Sequence, residues 1–142
     1  MLYELSQATT NTSSSTTNGA AWSYKAGASN TPKIMEIAVN NVAATAGNFA
    51  LGIAATAGTQ SSSSALIPLG SAATAQGTCA ITWSGSPTQP TTFLRKHQFA
   101  ATQGATIIWS WPYGLSLAAG TELVLWNLAT NGVVNVTVTV EE

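Results

Sequence analysis

Apolar residues recur at every second position in short runs along this chain, and each run is closed by Gly, Pro, Asn or Ser. Past Pro32, Met35, Ile37 and Val39 take one face and Ile34, Glu36 and Ala38 the other, which predicts a strand ending at Asn40 and Asn41. Phe49, Leu51 and Ile53 alternate with small residues in a second. Leu66, Ile67 and Leu69 form a third around Pro68, which suits an edge because proline cannot donate to a ladder. The polar stretch 58–64 before it reads as a loop. Cys79, Ile81 and Trp83 alternate against Thr78, Ala80 and Thr82, and Ser84, Gly85, Ser86 and Pro87 close that strand with turn chemistry.

Phe93, Arg95, His97 and Phe99 share one parity and Leu94, Lys96 and Gln98 the other, so neither face is cleanly apolar and the strand belongs at an edge or interface. Ile107, Trp109 and Trp111 lead to a corner at Pro112, Tyr113 and Gly114, then Leu115 and Leu117, and Gly120 turns into the run 123–128. Val134, Val136, Val138 and Val140 face opposite to Asn135, Thr137 and Thr139, with Asn131 and Gly132 as a hairpin turn before them. No segment has a helical period. About eight strands of this kind predict an all-β antiparallel β-sandwich, jelly-roll-like, whose strand order the pattern leaves open.

At 142 residues there is room for one domain with a sizeable core. Residues 6–19 are almost wholly Ser, Thr, Asn, Gln and Ala, an extended arm or lead-in without apolar period. The chain therefore divides into 1–21, an N-terminal arm or edge strand with a Ser/Thr/Asn-rich linker, and 22–142, a single sandwich. Leu2, Tyr3 and Leu5 ahead of the polar stretch form either a first edge strand or an anchor for a neighbouring subunit.

Charge changes this picture most. Only 6% of residues are charged and the formal net charge is -1, against about 25% charged in an average soluble domain. Such a surface is solvated by hydroxyls and amides, and near-zero net charge favours association, as in a permanent homo-oligomeric assembly. Four Lys plus Arg cannot make the basic stripe that nucleic acid requires. No run is apolar enough to span a membrane, and no leader-like segment follows Met1, so a start without a signal peptide is expected.

Candidate chemistry is sparse: there is no Asp, one His, one Cys and five dispersed Glu, so neither a catalytic set, a metal site nor a cofactor motif is expected. A Cys79/His97 pair can be written down, but Cys79 shares its parity with Ile81 and Trp83, the packing side. Arg95, Lys96 and His97 are the local concentration of charge; they either set register on an acidic partner or guard an edge strand against aggregation. Trp83 and Trp109 belong to the core by parity. Trp22, Tyr24, Trp111 and Tyr113 lie near predicted element ends, where an aromatic either packs, anchors a partner or stacks on a glycan.

The stretch 104–127, GATIIWSWPYGLSLAAGTELVLWN, with the strand that closes it, resembles the last strands of jelly-roll virion proteins of tailed bacteriophages. The charge-poor Ala/Thr/Ser/Gly remainder is similar to phage decoration and fibre modules. The resemblance implies a non-enzymatic decoration or cement protein, often a trimer, made in the host cytoplasm and bound on the virion's capsid surface to the major capsid protein. The alternative is a carbohydrate- or receptor-binding module of a tail fibre. For either, the expected partner interface is drawn from Leu2, Tyr3, Leu5, Trp22, Tyr24, Arg95, Lys96, His97, Trp111 and Tyr113.

Overall fold

The computed structural model describes residues 1–9, 19–70, 73–129 and 132–142, and among them eleven strands and no helix. These are β1 (Leu2–Ala8), β2 (Gly19–Lys25), β3 (Lys33–Asn41), β4 (Gly47–Ile53), β5 (Thr59–Ala65), β6 (Ile67–Pro68), β7 (Thr78–Gly85), β8 (Phe93–Phe99), β9 (Thr106–Ser116), β10 (Glu122–Asn127) and β11 (Val134–Glu141). They form two antiparallel sheets, ordered β6-β1-β11-β3-β9 and β5-β7-β2-β10-β4-β8.

The pairing is nested. With β5, β6 and β7 set aside, β1 pairs with β11, β2 with β10, β3 with β9 and β4 with β8, first with last and inward to the middle. Successive pairs fall in alternate sheets, the pattern of one long antiparallel ribbon rolled on itself, which is a jelly roll. The segment holding β5, β6 and β7 is an insertion between β4 and β8 that widens the six-stranded sheet and covers the free side of β1.

Inward positions of both sheets supply the core: Trp22 and Tyr24 of β2, Ile34, Ile37 and Val39 of β3, Phe49 and Leu51 of β4, Leu123 and Leu125 of β10 and the four valines of β11. Burying each of these large side chains contributes roughly 1.5–3 kcal/mol. Ile34 and Ile37 are both buried although three residues apart, because the ladder slips between Ile34 and Glu36; Met35, read on one face with Ile37 and Val39, is only half-buried.

That slip also answers for the expected corner. Ser110 pairs with Glu36 and Leu115 with Ile34, so residues 111–114 oppose Met35 alone as a bulge within one continuous strand. Pro112 needs no ladder donor there, and Gly114 takes a φ of 74°, with its α-carbon against the Lys33 side chain.

Four further expectations change. The stretch 58–64 is not a loop but nearly all of β5, whose exposed Ser and Thr give no apolar face because it is an outer strand. Trp22 and Tyr24 lie mid-strand between β7 and β10, and both faces of β2 are covered, which erases alternation. β10 and β11 sit in different sheets, so their connection crosses between layers instead of closing a hairpin; Asn131 lies outside the described residues. Ser6, Gln7 and Ala8 belong to β1, paired with β11, and 10–18 of the expected arm lie outside the described residues.

Candidate interaction surface

The six-stranded sheet is covered on its outer side where segment 86–92 crosses three strands to link β7 with β8. Pro87 and Pro90 are buried, a Cβ on Gly52 of β4 would lie 2.7 Å from the Pro90 ring, and Thr88 N–H donates to Thr56 O at 3.0 Å. On this side of the sheet sits Glu122, fully buried. Its carboxyl accepts the Ser23 hydroxyl at 2.5 Å, the Gly58 N–H at 2.6 Å and the Trp83 indole N–H at 3.0 Å. Gln60 extends the network, donating to Ser23 Oγ at 3.4 Å and accepting from Thr78 at 2.8 Å, and Lys25 donates to Gly58 O at 2.9 Å. Sequence reasoning passed over this carboxylate because its three donors come from three segments distant in the chain. Trp83, expected in the core, is instead half-buried with its indole on Glu122.

Glu142 is similarly engaged: it accepts the Tyr24 hydroxyl at 2.7 Å and the N–H groups of Gln76 at 2.6 Å and Gly77 at 2.9 Å. Lys33 and Glu141 form the ion pair found among the described residues, at 4.0 Å. Met1, Asn30, Thr31, Lys33, Glu141 and Glu142 line an open depression of about 320 Å³ at that end. Arg95, Lys96, Lys25, Glu4 and Glu36 have no ion pair among the described residues.

The first two of these meet the aromatics at one margin of the sandwich. β8 ends the six-stranded sheet and β9 ends the five-stranded one, on the same side. Across the gap the Arg95 guanidinium lies 5.6 Å over the Trp111 ring, a cation–π contact joining the two sheets, while its Nη1 donates to Leu94 O at 2.9 Å. Lys96 lies 5.3 Å over Phe93. The half-buried His97 meets Phe99 edge to face at 4.6 Å. Tyr113, on the bulge, is 92% exposed. An edge-strand place for Arg95, Lys96 and His97 is therefore what the structure has, and an inward-pointing charge at an open edge opposes strand addition.

The remaining expected interface residues lie elsewhere. Leu2 is exposed at the opposite margin, on β1, while Leu5 is half-buried against the core and Tyr3 is buried. Trp22 and Tyr24 are buried mid-sheet, which removes them as contact surface in this fold. Exposed apolar side chains outside the expected interface flank both margins: Ile67 and Leu69 beside Leu2, Leu94 on β8 and Ile108 on β9. Leu94 and Ile108 are outward residues on strands that alternation reads for the inward face, and Leu69 lies just past β6.

Cys79 is not brought to His97: β7 and β8 are four strand steps apart, roughly 19 Å at the usual spacing. Burial pushes the Cys79 thiol well above its ordinary 9.0, and burial, then the hydrogen bond and charge of Glu142, push the Tyr24 hydroxyl above 10.0. The folded thiol is expected to resist alkylation at mildly alkaline pH and to react once unfolded; rapid labelling of native protein would contradict its placement. Below 9 both groups are protonated in either state, and as pH rises through 9 and 10 the unfolded chain alone releases protons. Stability is expected to fall there by up to about 1.4 kcal/mol per pH unit per group, readable as a declining alkaline melting temperature.

Among the described residues no three of His, Cys, Asp and Glu group as metal ligands. Comparison with known proteins finds no matching family model, and neither a curated protein nor a solved structure matches this chain.

Proposed function

We propose that this chain is a non-enzymatic virion structural protein, a decoration or cement protein that binds the outer surface of a phage head as a homo-oligomer and stabilises it. The observation that carries the reading is the surface of the sandwich. A two-sheet body has only 6% charged residues, and two of the three cations without an ion pair among the described residues, Arg95 and Lys96, lie with Trp111 and Tyr113 at one margin. A rigid, nearly neutral body suits dense packing on a shell, and repetition on symmetric sites makes weak contacts add. The test is co-sedimentation with undecorated phage capsids. Wild-type protein is expected to pellet with them and Arg95→Ala with Tyr113→Ala to remain largely in the supernatant; wild-type protein that ignores capsids would sink the role.

The exposure of Tyr113 beside Trp111 also favours a second reading, a glycan-binding module of a tail fibre whose aromatic faces stack on pyranose rings. Its test is a glycan array, with binding lost in Tyr113→Ala.

A further inference from the structure

We propose that the outer face of the five-stranded sheet is a docking surface for a basic patch on another protein. The ladders define this face. Glu4 of β1 stands opposite Thr139 of β11, Thr139 opposite Glu36 of β3, and Glu36 opposite Ser110 of β9, one row across the sheet. Their neighbours Tyr3, Val140, Ile37 and Trp109 are buried, so alternation turns the row outward. On all four strands the outward positions of these ladders are half-buried or exposed, whereas Ala50, Val124 and Ala80 on the outer side of the other sheet are buried. The five-stranded face is thus the open one. Lateral bonds keep its side chains low: the Thr137 hydroxyl donates to Ser6 Oγ at 3.0 Å, and the Asn40 amide to Thr106 Oγ1 at 2.6 Å. Exposed Ile67 opposite Glu4 and exposed Ile108 opposite Ala38 give it an apolar border on either side.

Charge names the chemistry of the occupant. The face carries Glu4, Glu36 and Glu141 against Lys33, which pairs with Glu141 at 4.0 Å, so three carboxylates less one ammonium leave two negative charges. Glu4 and Glu36 lie two strand steps apart, about 10 Å. That is too far to share one metal ion, whose oxygen ligands sit at roughly 2.3–2.6 Å for calcium, and the sign repels phosphates. A second copy of this chain fits poorly. Face to face, two copies would set these carboxylates against each other. On the outer side of the six-stranded sheet Lys25 and Lys96 are three strand steps and four residues apart, roughly 20 Å, and Arg95 turns inward over Trp111. Two Lys or Arg about 10 Å apart on another protein, with apolar side chains beside them, match both the carboxylates and the isoleucine borders. Within the proposed role that patch belongs to the shell protein, a step that rests on that reading. Because β9 carries both this face and Trp111, the face is continuous with the margin already assigned to the shell.

Two measurements on the full chain separate the face from the role. In the first, isotope-labelled protein is titrated with an octalysine peptide at low salt and followed by its amide chemical shifts. Shifts are expected along the row of Glu4, Thr139 and Glu36, and Glu4→Gln with Glu36→Gln is expected to weaken binding about tenfold. Added salt should weaken wild-type binding as the exposed charges are screened. In the second, Glu36→Gln is co-sedimented with undecorated phage capsids beside Ser62→Lys, which makes the same change in net charge on exposed β5 of the other sheet. Capsid binding is expected to fall severalfold in Glu36→Gln and to stay at the wild-type level in Ser62→Lys. A peptide that does not bind, that shifts residues elsewhere on the chain, or that binds the double variant equally well would overturn the face. Equal loss of capsid binding in Glu36→Gln and Ser62→Lys, or no loss in either, would remove the shell protein as its partner. Wild-type protein that takes the peptide on this face yet ignores capsids would keep the face and sink the role.

Discussion

Glu122→Ala is expected to destabilise the fold by about 3–5 kcal/mol, the largest effect of any single substitution outside the apolar core. The carboxyl is fully buried and takes three donors, so its removal strands them at once. The Ser23 hydroxyl can rotate, and the half-buried Trp83 indole can reach water. The Gly58 N–H can do neither, because Pro87 and the Gly85 carbonyl crowd that residue. Glu122→Gln keeps one acceptor oxygen but turns an NH₂ toward the donors, so an intermediate loss of about 2 kcal/mol is expected. Urea unfolding measures both. Residues 54–58 carry the Gly58 donor and hold 86–92 through Thr56, so native Glu122→Ala should also be cut faster by protease within 86–92. A variant within about 1 kcal/mol of wild type would mean that the carboxyl does not hold this side of the sheet.

Gly77→Ala is expected to cost about 2–3 kcal/mol, the range in which overpacking of a closed site falls. A Cβ at Gly77 would overlap the Tyr24 hydroxyl and come within 2.5 Å of its Cζ. The ring cannot swing aside, being fully buried in β2 with its hydroxyl on Glu142. The backbone near Gly77 must move instead, which breaks the N–H bonds of Gln76 and Gly77 to that carboxylate. Tyr24→Phe in the same chain should return only part of the loss, since Cζ and Cε2 still clash. Thermal melting of the single and double variants decides: an unshifted melting temperature for Gly77→Ala would show that residues 76–77 yield freely.

Of the candidate surface, the Arg95, Lys96 and His97 edge was legible because mixed parity is what an edge strand looks like in sequence. Its connection to Trp111 was not, since the two residues are sixteen apart and touch only because β8 and β9 end different sheets on one side. The Leu2 margin was half legible: Leu2, Tyr3 and Leu5 read as a strand or anchor, whereas Ile67 and Leu69 join them through the β6 to β1 ladder. Trp22 and Tyr24 misled because a strand covered on both faces loses its period and resembles an element end.

By itself, the sequence determined the class of fold. Period-two patterning with turn residues between the runs admits strands and no helices, because side chains of an extended chain alternate whatever it later packs against. It likewise determined which side of β4 and β11 faces the core, and that charge is too scarce for a basic groove; on β7 the ladder slips at Ile81, and Trp83 leaves the side that Cys79 takes. Only the tertiary structure decided the nested pairing of β1 with β11, the bulge that keeps β9 whole, and the burial of Glu122 under 86–92. Strand partners are chosen by contacts between distant residues, and alternation is the same for every partner. A polar residue is buried or exposed according to what crosses above it, which neighbouring sequence does not encode.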